Sequence, residues 1–126
     1  MKLGLIQGRL SEPKEGFQDT PKNWKKEFQK LKEANLSHIE WIVTKDSFNN
    51  NPFFEENLKS FPIHSVCADN LVDTNIDNFS FVFRMLDPIC ISALKNNIKY
   101  VTIPLLEESS LLDNHKRDRF KDILIY

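Results

Sequence analysis

Two helix ends in this chain follow the same pattern of residue types. Asn35-Leu36-Ser37-His38-Ile39 and Asn97-Ile98-Lys99-Tyr100-Val101 each place Asn, an aliphatic residue, two further residues and a second aliphatic residue directly after a helical pattern. Asn tolerates the left-handed backbone used just past a last helical turn, so both segments predict a helix that passes at once into a strand. Links this short commit the chain to successive strand and helix units, with parallel strands and right-handed crossovers.

The remaining elements fit that scheme. Leu3-Gly4-Leu5-Ile6 is an apolar run that predicts a buried first strand, and the polar stretch after it, with Pro13 and Gly16, predicts a long loop. Thr20 as N-cap and Pro21 at the first helical position open a helix whose Trp24, Phe28 and Leu31 recur on one face, opposite Lys and Glu. A second strand covers residues 38–43. A shorter helix begins at Asn51-Pro52, sets Phe54, Leu58 and Phe61 on one side and stops at Pro62, and a third strand covers residues 63–68. Between residues 79 and 97, Phe79, Phe81 and Phe83 alternate as in a strand, while Val82, Leu86, Ile89, Ala93 and Leu94 recur as in a helix. Length decides for the helix, with Pro88 as a kink or a fresh start. A fourth strand covers residues 100–105, and Asp113 caps a last helix with Phe120, Ile123 and Leu124 on one face.

At 126 residues the chain reads as a single domain, 1–126, about half of the roughly 250 residues of a closed (β/α)8 barrel. Its 17 Lys and Arg balance 18 Asp and Glu, which gives no field for drawing in nucleic acid or a membrane surface. Cys67 and Cys90 form no CxxC pair and have no histidine at metal-finger spacing, so both read as small buried hydrophobes in a reducing compartment. The apolar start is too short for a signal peptide, and no run approaches the roughly 18 residues of a membrane span. The expected location is the cytoplasm.

In parallel α/β architectures the chemistry gathers beyond the carboxyl ends of the strands. The four predicted ends offer Gln7 and Arg9, then Glu40, then Asp69, then Glu107. Strand alternation puts Ile39, Trp41 and Val43 on one apolar face and turns Glu40 away from the helices; Ser65, Cys67 and Asp69 share a face of the third strand. Arg9, just after Gly8, is placed to fork onto an anionic group or to pair with a surface acid. His38, His64 and His115 are not neighbours at ligand spacing. No glycine loop cradles a phosphate, and no serine sits in a glycine-flanked elbow.

Taken together, Gly4-Leu5-Ile6-Gln7-Gly8-Arg9-Leu10, the Trp-bearing helix, Ile39-Glu40-Trp41-Ile42, Ser65-Val66-Cys67-Ala68-Asp69, and Ile103-Pro104-Leu105-Leu106-Glu107 with Ser109-Ser110-Leu111 resemble the N-terminal half of the sugar phosphate isomerases/epimerases of the xylose isomerase-like TIM barrel group. The resemblance implies an α/β fold of parallel (β/α) units, about the first four of a TIM barrel, a half barrel. It implies a sugar or sugar phosphate as substrate, and proton transfer next to a carbonyl whose developing oxyanion needs stabilising. In that group a divalent metal is held on later strands by two Glu, an Asp and a His. Those strands lie outside this sequence, so a metal is expected for the full barrel and none for this chain alone. The substrate-facing residues implied here are Gln7, Arg9, Glu40, Asp69 and Glu107. The related endonucleases acting at abasic DNA sites keep histidines where this chain has Cys67-Ala68-Asp69 and Pro104-Leu105-Leu106-Glu107, which makes that reading poor.

Half a barrel has two unpaired edges, its first and fourth strands, so self-association through open sheet edges is expected. The alternative to an isomerase fragment is a half-barrel binding or assembly module without catalysis, docking with a complementary half or closing through a two-fold axis with a second copy.

Overall fold

The computed structural model describes residues 2–12 and 19–125, so the loop expected around Pro13 and Gly16 lies outside the described residues. The two helix ends written alike are also built alike. Asn35 and Asn97 have φ of 54° and 59°. Leu36 N–H reaches back to the Leu31 carbonyl and Asn35 N–H to that of Lys32; Ile98 and Asn97 repeat this with Ala93 and Leu94. These are two Schellman endings, and each delivers the chain to a strand start three residues on.

The elements follow in the order β1 (Gly4–Ile6), α1 (Trp24–Glu33), β2 (His38–Ile42), α2 (Pro52–Glu55), β3 (Ile63–Cys67), α3 (Phe79–Lys95), β4 (Tyr100–Thr102) and α4 (Asn114–Ile125). The strands form one parallel sheet in the order β1-β2-β3-β4. The chain is thus an α/β protein. Among the described residues no helix is long and apolar enough to cross a membrane.

Several boundaries move. α1 starts at Trp24 behind Asn23, leaving Thr20 and Pro21 in the turn before it. α2 has the expected cap, the Asn51 side chain accepting Phe53 N–H at 3.0 Å, yet it lasts a single turn, and its fully buried residue is Phe53 rather than Phe54. α3 runs through Pro88 without a break. β4 ends at Thr102, short of the expected 105. Asp113 does cap α4, accepting Lys116 N–H at 3.0 Å, but Leu124 faces outward.

The core fills the space between the helices and one face of the sheet. Ile39, Trp41 and Val43 are all fully buried there, as strand alternation requires. Trp24 meets Trp41 and Phe61 edge-on at 5.2 and 5.0 Å, which seats α1 on β2. Asn51 locks the next crossover, accepting Trp41 Nε1–H at 2.9 Å and donating to the Ile42 carbonyl at 3.1 Å.

Among the described residues no helix covers the opposite face of the sheet, which corrects two expectations. The first strand is not buried, since Leu3 and Ile6 are exposed. Nor are both thiols: Cys67 is half-buried on the open face and Cys90 is exposed on α3.

Candidate functional site

A carboxylate in the middle of a strand needs donors from its neighbours, and the helix-free face supplies them. Glu40 Oε1 accepts the Ser65 hydroxyl on β3 at 3.1 Å and the Thr102 hydroxyl on β4 at 2.8 Å. Register explains the first bond, since Glu40 stands opposite Ser65. No described residue makes an ion pair with this carboxylate. A cavity of about 220 Å3 beside it is lined by Gly4, Leu5, Ile6, His38, Glu40 and Ser65.

Gln7, just past β1, is buried against the same region. Its N–H donates to the Glu40 carbonyl at 2.9 Å and its Oε1 accepts Ile42 N–H at 3.2 Å. Its buried Nε2 has no hydrogen-bond partner among the described residues. The loop then turns at Gly8, where φ is 88° and glycine is the unstrained choice. Glu27, fully buried on α1, anchors this loop. Its carboxylate accepts Gly8 N–H at 2.9 and 3.0 Å and Leu10 N–H at 3.2 Å. Lys30 ties the same loop by donating to the Leu10 carbonyl at 2.8 Å.

Arg9 is paired with Asp19 at 3.0 Å, the acid-bound option of the two its position offered. Asp69 opens the turn after β3. Burial raises its pKa first, the Asp19 carboxylate adds to the rise, and Lys45 opposes it. The Cys67 thiol is pushed up to about 12, by burial first and then by the charges of Glu40 and Asp69. Cys67 therefore senses both carboxylates, and Asp69 senses the acid that holds Arg9.

Glu107 lies past the strand. β4 ends at Thr102, and Glu107 begins an exposed 3-10 turn further along, with φ of 49°. That turn leans on the loop after β3, where Glu108 N–H donates to Asp73 Oδ1 at 3.4 Å. No described hydrogen bond or ion pair joins Glu107 to Glu40 or Asp69.

Sequence reasoning missed Glu27, Thr102 and the histidine arrangement. Thr102 was findable, since Val101 and Ile103 alternate as one apolar face and leave Tyr100 and Thr102 on the other. Glu27 carried no signal, being one acid among several on a charged helix. His38 and His64, read as separate, have ring centroids 4.9 Å apart, and His64 lies 5.1 Å from Tyr100. The cause is a register shift: Ile39 pairs with Ile63 and Glu40 with Ser65, so His64 is an extra residue in β3.

Among the described residues no group of three or more His, Cys, Asp or Glu side chains is placed to hold a metal ion. The donors on the described residues do not by themselves form a resident metal site. What the arrangement can do is accept hydrogen bonds from a hydroxyl-bearing ligand on the open face. Compared with known proteins, the chain matches no family model, no curated protein and no solved structure.

Proposed function

We propose that these residues form the N-terminal portion of a sugar or sugar phosphate isomerase/epimerase built on a xylose isomerase-like barrel, with Gln7, Arg9, Glu40, Asp69 and Glu107 as substrate-facing residues. The observation that carries this reading is Glu40, held by Ser65 and Thr102 on the helix-free face of a parallel sheet. That face is the inner one if the sheet belongs to a barrel. Glu40 then accepts sugar hydroxyls beside the carbonyl, while Gln7 and Asp69 follow the ends of β1 and β3. The divalent metal that such enzymes use would draw its ligands from other strands of such a barrel.

Calorimetric titration of the purified chain with a neutral ketohexose and with its phosphate ester tests this. The expected result is weak, saturable binding of one or both, weakened roughly tenfold by Glu40→Gln or Arg9→Ala. Binding of neither sugar, or equal binding by both variants, refutes the reading.

Among the described residues the outer edges of β1 and β4 pair with no strand, which favours a second reading, an assembly module that completes its sheet by pairing with another copy. Sedimentation showing a dimer supports it, and a monomer across the micromolar range removes it.

A further inference from the structure

The cavity beside Glu40 has a second polar wall. His38 and Glu40 are two residues apart on β2, so their side chains leave the same face about 7 Å apart, and both line that cavity. The His38 ring is fixed from two sides. Ser37 Oγ lies 2.6 Å from Nδ1, and the same hydroxyl donates to the Leu3 carbonyl at 2.7 Å. With its hydrogen given to Leu3, Ser37 Oγ accepts from Nδ1–H in the Nδ1-protonated tautomer, and in that tautomer Nε2 keeps its lone pair. On the other side, a Cβ built on Gly4 would overlap Nε2 and Cδ2 of the ring. Glycine at this position is what lets the imidazole lie against β1.

Glu40 is similarly half committed. Oε1 takes both hydroxyls, and Oε2 makes no hydrogen bond among the described residues. The cavity therefore presents two acceptors, a lone pair on His38 and a carboxylate oxygen on Glu40.

We propose that this cavity is a polyol subsite, in which His38 Nε2 and Glu40 Oε2 each accept a hydrogen bond from a hydroxyl of the same sugar. The inference rests on the sugar reading above and names the part of the ligand that enters. Two acceptors call for donors, so the hydroxyl-bearing end of the molecule fits here. A phosphate, which brings only further acceptors and like charge, does not.

The test is side-chain NMR of the full chain titrated with a neutral ketohexose. The His38 ring Cε1–H signal should shift and saturate, with His115 on α4 unmoved as an internal reference. Glu40→Gln should weaken the His38 response roughly tenfold, and Gly4→Ala, which crowds the ring, should remove it. If Gly4→Ala fails to fold, Glu40→Gln decides. A sugar that moves the amides of Gln7 and Asp69 and leaves His38 unmoved overturns the subsite but keeps the sugar reading. A His38 response equal in Glu40→Gln also overturns the subsite, and a sugar that perturbs no residue overturns both.

Discussion

Thr102 donates its hydroxyl to Glu40 at 2.8 Å, joining β4 to β2 across 62 positions of sequence. The bond is solvent-exposed, so its net worth is small. Thr102→Val is expected to lower the unfolding free energy by about 1 kcal/mol, measured by urea titration. A variant as stable as the parent would mean that the contact contributes nothing.

Glu27 is a different case. It is 1% exposed, and its carboxylate is the hydrogen-bond acceptor for two backbone N–H groups of the loop after β1. Glu27→Ala strands those donors and should cost about 3 kcal/mol, whereas Glu27→Gln keeps an acceptor oxygen and should cost less. Equal losses from the two substitutions would show that packing, not the acceptor, matters.

Asp69 should weaken the fold as it ionises. Its pKa is raised by burial and by Asp19, so the folded chain holds this proton more tightly than the unfolded chain does. Stability from this group is therefore greatest at low pH and falls as the pH rises from the ordinary value of 3.8 through the raised one. Asp69→Asn is expected to flatten that part of the pH dependence of Tm and to leave the neutral-pH protein no less stable. A steeper dependence in the variant would reverse the assignment.

The two thiols should separate kinetically. Cys90 is exposed on α3, although burial and Asp87 raise its pKa somewhat. Cys67 is half-buried with its pKa at about 12. Because the thiolate is the reactive form, alkylation at mildly alkaline pH should modify Cys90 first, read by mass spectrometry of Cys67→Ser and Cys90→Ser. Faster labelling of Cys67 would place it outside the field of Glu40 and Asp69.

Much of this fold was legible because its punctuation is local. Asn35, Asn97, Asn51 and Asp113 act through bonds within a few residues of themselves, and each does what its position announced. The alternation that buried Ile39, Trp41 and Val43 also turned Glu40 to the open face. The rest depended on partners distant in sequence. Whether Leu3 and Ile6 are covered is decided by what packs on the sheet, not by their own apolarity. The register shift that brings His64 beside His38 is a property of two strands together. Glu27 became a loop anchor only when α1 swung back over Gly8, and Glu107 falls on a 3-10 turn past the strand because β4 ends early.

The central claim is that Glu40, on the uncovered face of the parallel sheet, is where a sugar is held. A crystal structure of the chain soaked in a neutral ketohexose measures this directly. Sugar density is expected on the helix-free face, with a hydroxyl within hydrogen-bonding distance of the Glu40 carboxylate. Density seated among the helices instead, with the Glu40 face bare, would contradict it.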